Sequence, residues 1–435
     1  MSKQHLNFTY SNVPASSIPA SINAYTEKLK EIAGAKTSHY ETHEHALRLP
    51  FDTSIVADVT HMVQPYWNTQ LRYVVVVGIG GSNLGAKAVY DALRGTQDGL
   101  LDGYPKLIFA DTVSSRLLSD IERLIEGDVS YPEEILINLI SKSGGTTESI
   151  ANFEILYAYL SKRFPHASSR LVVTTDHNSN LWLLAEKNKI GLLPIPKEVG
   201  GRFSVFSAVG LFPLALCGID IEALTEGGRE CLTTCLEKEN HGLRFAESVY
   251  RAHKHGSAIV NFFFFNPELE SLGKWMRQLY GESLGKEKDK SGKTVRAGIT
   301  PIVSIGSIDL HSMAQLYLGG PKDKFTLFIH AEETSHLKVP DVGLFTTLVP
   351  GIAGKAPDTI LKAIYGGVKA AYTTHKLPFG EVALASISPY TLGMMLEWQM
   401  LSVMYLGELM HVNTFDQPNV EDYKKVTKEI LQNQK

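Results

Sequence analysis

The chain has 435 residues, of which 44% are hydrophobic and 20% charged, and its formal net charge at pH 7 is −4. This composition is typical of a soluble globular protein with two or three domains. It argues against bulk nucleic-acid binding, which needs a basic face. The longest apolar runs are shorter than the ~18 residues of a membrane span. A small anionic ligand is still compatible with this charge, because a few local donors are enough to bind it.

The N-terminus and the cysteines indicate the compartment. The first seven residues, Met-Ser-Lys-Gln-His-Leu-Asn, contain no apolar stretch of the kind that a signal peptide carries. Cys217, Cys231 and Cys235 are an odd number of cysteines in a large chain, so they imply no disulfide framework. We therefore expect a cytoplasmic protein with free thiols.

Two regions of the chain alternate between strand and helix patterns. In the first region we expect strands over 73–77, 107–110, 135–140, 171–175 and 192–195, and helices over 86–94, 115–125 and 149–160. In the second we expect strands over 257–265, 302–305, 326–329 and 382–387, and helices over 269–280, 311–318, 357–374, 391–407 and from 421 onward. Continuous apolar strands that alternate with helices predict parallel sheets covered on both faces. Ligands of such sheets bind at the carboxyl ends of the strands, so function should concentrate in the loops after Val77, Ile140 and Ile305.

The first of these loops, residues 78–85, is rich in glycine and leads into a helix. Glycines let the backbone approach a ligand, and a helix N-terminus offers free N–H groups to an anion. The loop departs from a dinucleotide fingerprint because Asn83 replaces the third glycine, and from a Walker A loop because Ala86 replaces the lysine. NAD and ATP are therefore disfavoured. A purely structural tight turn is the alternative interpretation.

The second loop, residues 141–149, combines several hydroxyl groups with Lys142 and two glycines, again between a strand and a helix. Such a segment supplies many hydrogen-bond donors to one phosphate dianion. A capping box that uses Glu148 is the structural alternative. Capping explains one hydroxyl group and leaves the others without a role, so we expect a phosphate site here.

Four further residues suit proton transfer. Arg202 follows two glycines and is a fixed cation that stabilises an oxyanion. Glu282, just past the expected helix 269–280, is a carboxylate suited to act as a base. His311 stands in the first turn of its expected helix, and Lys424 lies on the C-terminal helix. Each also fits a structural role when taken alone, as a salt bridge or a surface side chain.

A histidine-rich segment near the N-terminus raises the question of a metal. It contains His39, Glu41, His43, Glu44 and His45, and the spacing of the first and second histidines suits one face of a helix. No matching aspartate or cysteine cluster follows, so a surface helix is favoured over a metal site. We expect neither a metal nor another cofactor.

Three segments carry a family resemblance. Gly-Gly-Arg-Phe-Ser stands at 200–204, Gly-Glu-Ser-Leu-Gly-Lys at 281–286, and Phe-Asp-Gln is followed by Val-Glu-Asp-Tyr-Lys within 415–424. With the two loops, they resemble the phosphoglucose isomerase family in its compact bacterial form, over most of the chain. The resemblance implies an α/β fold of two SIS-type (flavodoxin-like) parallel-sheet sandwich domains with a C-terminal helical arm. It also implies reversible isomerisation of glucose 6-phosphate to fructose 6-phosphate, by ring opening and a cis-enediolate, in glycolysis and gluconeogenesis.

The resemblance implies a role for each matching residue. Glu282 corresponds to the base that moves the proton between C2 and C1, and Arg202 to the residue that stabilises the enediolate. His311 and Lys424 correspond to residues that open the sugar ring. The implied substrate contacts are Gly81, Ser82, Ser141, Lys142, Ser143, Thr146 and Gln417.

The resemblance also implies an organisation and a partner. The expected units are an N-terminal helical extension (1–50), a first SIS domain (51–205), a second SIS domain (206–410) and a C-terminal arm and helix (411–435). The expected assembly is a homodimer in which His311 is donated across the interface, with no nucleic-acid or membrane partner.

Two departures and two alternatives stay open. Asn419 and Lys197 differ from the residues usual in the family, which affects local geometry but removes no catalytic side chain. An isomerase that also accepts mannose 6-phosphate is one alternative, because the choice of epimer depends on contacts at C2. A non-catalytic sugar-phosphate sensor is the other, and the presence of Glu282, Arg202, His311 and Lys424 argues against it.

Overall fold

A computed structural model of the chain describes residues 5–35, 40–68 and 70–433. Its strands are β1 (Leu6–Ser11), β2 (Tyr73–Val77), β3 (Lys106–Ala110), β4 (Ile135–Ile140), β5 (Leu171–Asp176), β6 (Gly191–Ile195), β7 (Ile259–Phe264), β8 (Lys286–Lys288), β9 (Thr294–Ala297), β10 (Thr300–Ile305), β11 (Lys324–Ala331) and β12 (Phe379–Leu384). Its α-helices are α1 (Ser21–Gly34), α2 (Thr53–Val63), α3 (Leu84–Arg94), α4 (Ser115–Gly127), α5 (Thr147–Arg163), α6 (Asn180–Lys187), α7 (Ala208–Leu216), α8 (Ile221–Glu237), α9 (His241–Lys254), α10 (Glu270–Leu284), α11 (Ala314–Gly319), α12 (Pro357–Thr374), α13 (Pro389–Leu409) and α14 (Val420–Asn433).

The first sheet is parallel throughout and has the strand order β3-β2-β4-β5-β6. Its central strands β2 and β4 are buried along their whole length, which explains their continuous apolar sequences. Alternate residues of β2 enter different cores: Val74 and Val76 join one, while Val75 and Val77 join the other with α4 and α5. The predicted α/β class with parallel sheets is confirmed.

The second sheet repeats the same arrangement. Its order is β1-β12-β11-β7-β10, and the strands from β7 to β12 within it are parallel. Numbered along the chain, the parallel strands lie in the order 2-1-3-4, as do the first four strands of the first sheet. In each sheet the strand order therefore reverses beside its first strand, which is where ligands of such sheets bind.

The N-terminal extension is helical only in part. Residues Leu6–Ser11 form β1, which pairs antiparallel with Phe379–Leu384 at the edge of the second sheet. The free edge of that sheet offers unpaired backbone groups, and β1 satisfies them. The expectation of a helical segment over 1–50 was wrong for this strand, while the domain boundaries stay predictions.

Helix α13 runs through the core and is buried on nearly its whole surface. It crosses α8 where two glycines permit contact of the backbones: a Cβ on Gly393 would lie 1.9 Å from the carbonyl oxygen of Leu224, and a Cβ on Gly227 would lie 1.9 Å from that of Tyr390. No helix in the described part of the chain is both long and apolar enough to cross a membrane. The chain after α13 returns towards Arg202 and forms the arm that leads to α14.

Candidate active site

The two loops that we expected to bind anions lie side by side at the strand-order reversal of the first sheet. Residues 78–85, the glycine loop, follow β2, and residues 141–149, the hydroxyl loop, follow β4, its neighbour. A Cβ on Gly78 would lie 3.2 Å from the carbonyl oxygen of Ile140, so the glycine loop begins against the end of β4, where the hydroxyl loop starts. The sheet topology therefore brings the two sequence segments together at one edge.

The glycine loop also contacts the Gly-Gly-Arg segment. A Cβ on Gly81 would lie 2.2 Å from the carbonyl carbon of Gly201, a distance that no side chain tolerates. Gly80 has a φ of +60°, a left-handed conformation that favours glycine. The absence of a Cβ at Gly81 thus permits the approach that places Arg202 beside the loop.

Arg202 is the centre of the hydrogen-bond network. Its side chain is 2% exposed. Its Nε donates to Ser283 Oγ at 2.8 Å and its Nη2 to the carbonyl of Thr414 at 2.6 Å. Its Nη1 donates to Gln417 Oε1 at 2.8 Å and to Glu282 Oε2 at 3.2 Å. Burial lowers the pKa of Arg202, and the Glu282 carboxylate opposes that shift. The guanidinium stays charged, because its donors have partners in every direction.

Glu282 lies in the last turn of α10. The sequence analysis had placed it just beyond the end of this helix, which was wrong. Its second carboxylate oxygen, Oε1, accepts from Gln278 Nε2 at 3.1 Å, one turn earlier. Its side chain is 35% exposed, so the carboxylate is oriented by two donors while one side faces solvent. This is the arrangement of a positioned base with access to a ligand.

Gln278 and Lys286 are site residues that sequence analysis missed. A Cβ on Gly80 would lie 2.8 Å from Gln278 Nε2, so this amide links the glycine loop to Glu282. Lys286 is buried, donates to the carbonyl of Glu282 at 2.8 Å and pairs with Asp416 Oδ1 at 3.1 Å. Gln278 stands one turn before Glu282, and Lys286 ends the Gly-Glu-Ser-Leu-Gly-Lys segment that carries the family resemblance, but neither position indicated these contacts.

The hydroxyl loop is organised around Ser141. This residue is buried, and its Oγ lies 3.1 Å from Thr146 Oγ1. Thr146 is the N-cap of α5 but makes no side-chain cap hydrogen bond, so the capping alternative is not what the structure shows. Lys142 Nζ donates to the carbonyl of Lys197 at 2.6 Å. Burial lowers the pKa of Lys142, opposed by Asp176 and Glu198.

His311 and Lys424 do not join this network within the chain. His311 is exposed at the end of a 3-10 turn, Ile308–His311, and not in the first turn of an α-helix as predicted. Lys424 Nζ pairs with Glu421 Oε1 at 2.7 Å on the surface of α14. Neither side chain hydrogen-bonds to Arg202 or Glu282.

The histidine-rich segment is engaged in structural contacts. His43 Nδ1 lies 2.6 Å from the carbonyl of Glu198, and Glu44 pairs with Lys28 at 2.5 Å. His43–Phe51 is a 3-10 helix. His39, the other histidine of the predicted pair, lies outside the described residues. Within 5–35, 40–68 and 70–433, no group of three or more histidine, cysteine, aspartate or glutamate side chains is arranged to hold a metal ion.

Comparisons with known proteins identify the family of this chain. Residues 63–435 match the family model described as phosphoglucose isomerase. The chain is 33% identical over 378 residues to the glucose-6-phosphate isomerase of Carboxydothermus hydrogenoformans, covering 83% of this chain and 79% of that protein. It resembles the crystal structure of hypothetical protein TT0462 from Thermus thermophilus, with a TM-score of 0.83 and 30% identity, covering 98% of this chain and 100% of that one. A glucose-6-phosphate isomerase from Chlamydia trachomatis shares the fold at a TM-score of 0.81 and 19% identity, over 99% and 89% of the two chains. This protein belongs to the phosphoglucose isomerase family.

Proposed function

We propose that this protein interconverts glucose 6-phosphate and fructose 6-phosphate by moving one proton through an enediolate. The observation that carries the proposal is the Arg202–Glu282 pair, a base beside a fixed cation, next to two loops suited to a phosphate. Isomerisation of this kind needs a base for a carbon acid and a cation for the resulting oxyanion. The family membership supports the same reaction.

Glu282 acts as the base. Its carboxylate takes the proton from C2 of the open-chain aldose, the proton of the C2 hydroxyl group passes to O1, and Glu282 returns its proton to C1, which gives the ketose. Gln278 and Arg202 hold the two oxygens, which restricts the carboxylate to one orientation. Positioned general-base catalysis of this kind contributes roughly 10²–10⁴ in rate.

Arg202 stabilises the enediolate oxygen. Before the reaction its positive charge faces the Glu282 carboxylate at 3.2 Å. When Glu282 takes up the proton it becomes neutral, and the charge of Arg202 is then balanced by the oxyanion that forms on the substrate. The buried guanidinium is held by Ser283 and the carbonyl of Thr414, so it need not reorganise during the step.

The phosphate binds between the two loops. Ser141, Ser143 and Thr146 supply hydroxyl groups, and the backbone around Lys142 supplies N–H groups. Gly81, Ser82 and Gln417 contact the rest of the substrate. Gln417 is exposed beside Arg202, which supports its role at the sugar end of the site.

His311 and Lys424 open the sugar ring, and the working unit is a homodimer in which His311 comes from the partner chain. Both side chains are accessible in the single chain, and the Glu282 carboxylate is hydrogen-bonded by Arg202 and Gln278 instead. Helix α14 also has apolar side chains more than half exposed, Tyr423 and Val426 among them, which supports a contact of the arm with another surface. We place the enzyme in the cytoplasm, in glycolysis and gluconeogenesis.

A coupled assay tests the proposed function. Fructose 6-phosphate is supplied to protein dialysed against EDTA, and glucose 6-phosphate is measured through NADP reduction by a dehydrogenase. We expect conversion without added metal. Absence of conversion by folded protein would reject isomerisation and favour the sugar-phosphate sensor; activity restored only by a divalent ion would reject the metal-free mechanism. The same assay with mannose 6-phosphate as the substrate tests whether the enzyme also accepts this epimer.

A further inference from the structure

We propose that Thr175 is a positioning residue that aims backbone N–H groups of the hydroxyl loop at the substrate phosphate. The inference rests on the proposed function, because it assumes that this loop binds the phosphate. Thr175 is fully buried near the end of β5, the strand next to β4, and so lies beneath the loop. Its hydroxyl group bonds to backbone carbonyls of the loop, and Thr175 is not itself an expected substrate contact, so its effect must pass through the loop.

The hydroxyl group of Thr175 holds two consecutive carbonyl groups of the loop. Its Oγ1 donates to the carbonyl oxygen of Ser141 at 2.7 Å and also lies 3.3 Å from that of Lys142. A trans peptide places its C=O and its N–H on opposite sides. Because both carbonyls are held from below, the N–H groups of Lys142 and Ser143, which share those peptides, point away from Thr175. Neither N–H donates to another backbone group in the described residues.

A second hydroxyl group supports the first. Ser179 Oγ lies 3.0 Å from Thr175 Oγ1 and accepts from the backbone N–H of Trp182 at 3.1 Å, as the N-cap of α6. Since the Thr175 proton is used on the loop carbonyls, Ser179 must donate to Thr175. The result is a continuous chain of hydrogen bonds from the start of α6, through two hydroxyl groups, to the loop, and each bond polarises the next.

Backbone contacts hold the loop in the same place. The N–H of Ser141 donates to the carbonyl of Thr174 at 3.1 Å, and the N–H of Asp176 donates to the carbonyl of Lys142 at 3.2 Å. A Cβ on Gly144 would lie 2.7 Å from Leu181 Cβ, so the loop rests directly on α6. These bonds survive a substitution at Thr175. The hydroxyl group therefore adjusts peptide orientation and is not the sole support of the loop.

The neighbouring Thr174 is a matched control. It is also fully buried on β5, but its Oγ1 accepts from Asn138 Nδ2 at 3.1 Å, on β4 and away from the loop. Thr174→Val therefore removes a buried hydroxyl group from the same strand with a similar effect on packing. It leaves the peptides of Ser141 and Lys142 as they are.

The experiment compares Thr175→Val, Thr175→Ser and Thr174→Val. The measurements are kcat and KM for fructose 6-phosphate, and the inhibition constant of inorganic phosphate. In Thr175→Val we expect KM and the inhibition constant to rise together by about three- to tenfold, with kcat within about twofold, because the one donor that the two loop carbonyls share is lost. Thr175→Ser keeps the hydroxyl group and should restore both constants. Thr174→Val should leave both near wild type.

Unchanged constants in folded Thr175→Val, or an equal rise in Thr174→Val, would overturn the inference. Thr175→Ala takes over the test if the valine variant does not fold, as judged by circular dichroism. The Ser141→Ala, Thr146→Ala double variant separates this inference from the proposed function. If that variant weakens phosphate inhibition and Thr175→Val does not, only the role of Thr175 is lost. If neither weakens it, the phosphate site itself is wrong.

Discussion

Arg202 and Glu282 form an ion pair of 3.2 Å between Nη1 and Oε2, across 80 positions of sequence. The side chain of Arg202 is buried and that of Glu282 is partly exposed, so only the glutamate is accessible from solvent. This asymmetry suits their proposed roles, since the cation must stay fixed while the base meets the substrate.

Arg202→Lys tests the need for a guanidinium. A lysine keeps the charge, but its ammonium group has three donors and cannot serve all five acceptors of Arg202, which are Ser283, Glu282, Gln417 and the carbonyls of Thr414 and Asp416. We expect kcat to fall by roughly 10²-fold, in line with the loss of one preorganised oxyanion donor. Steady-state kinetics on protein with a wild-type circular dichroism spectrum checks this. A kcat within twofold of wild type would mean that charge alone is sufficient.

Ser141→Ala combined with Thr146→Ala tests the hydroxyl loop directly. The two hydroxyl groups lie 3.1 Å apart at the start of α5. Each hydrogen bond to a charged group is worth roughly 1.5–3 kcal/mol, so KM for the sugar phosphate should rise by at least tenfold. If KM and the inhibition constant of a non-reacting sugar-phosphate analogue both stay unchanged, the phosphate binds elsewhere.

Asp176→Asn tests the electrostatics behind the hydroxyl loop. Burial raises the pKa of Asp176 to about 6, although Lys142 and Lys197 oppose the shift. Since the folded-state pKa lies above the unfolded value, the stability contributed by this carboxyl is fully present below about pH 4 and is lost as pH rises through about 6. Asparagine cannot ionise and avoids that loss.

The variant should therefore gain thermal stability relative to wild type between pH 4 and pH 8. The carboxyl is partly exposed, and screening by solvent reduces the expected gain to about 1 kcal/mol. Thermal unfolding midpoints of both proteins at the two pH values give the comparison. A constant difference between variant and wild type would show that the carboxyl does not titrate differently in the folded state.

Mixed dimers test the shared active site. Homodimers of Glu282→Gln and of His311→Ala should each be nearly inactive. After subunit exchange, the heterodimer contains one site with both changes and one with neither, so its activity should approach half of wild type. Native mass spectrometry confirms the exchange. If heterodimers form and remain inactive, both residues serve the site of the same chain.

The strands were predictable where burial is uniform. Tyr73–Val77 and Ile135–Ile140 matched to the residue, because strands buried on both faces leave an uninterrupted apolar run. The last strand was placed at 382–387 but spans Phe379–Leu384. The beginning of this strand was missed because it contains a charged residue, Glu381. The side chain of Glu381 is buried, and Tyr365 and Lys369 donate hydrogen bonds to its carboxylate, so the strand tolerates the charge.

Long-range pairing accounts for most of what was missed. The residues of β1 are mostly exposed or half-buried, and the partner strand β12 begins 368 positions after β1 ends. The local sequence therefore does not indicate that β1 is a strand. Likewise, Arg202 and Glu282 were singled out by their local sequence and Gln417 by the family resemblance, but their convergence depends on the return of the chain after α13. Gln278 lay in a helix where glutamine is ordinary, and only its contact with Glu282 marks it.

Glu282→Gln measures the central claim most directly, with Glu270→Gln at the start of the same helix as the matched control. Glu270 pairs with Lys274 at 2.8 Å in solvent, away from the site residues. The amide that replaces the Glu282 carboxylate is nearly isosteric with it but accepts no proton from carbon. In the coupled assay we predict that kcat falls by about 10²–10⁴-fold in Glu282→Gln, with phosphate inhibition retained and Glu270→Gln unaffected. A Glu282→Gln enzyme that keeps more than about half of the wild-type kcat would show that Glu282 is not the base.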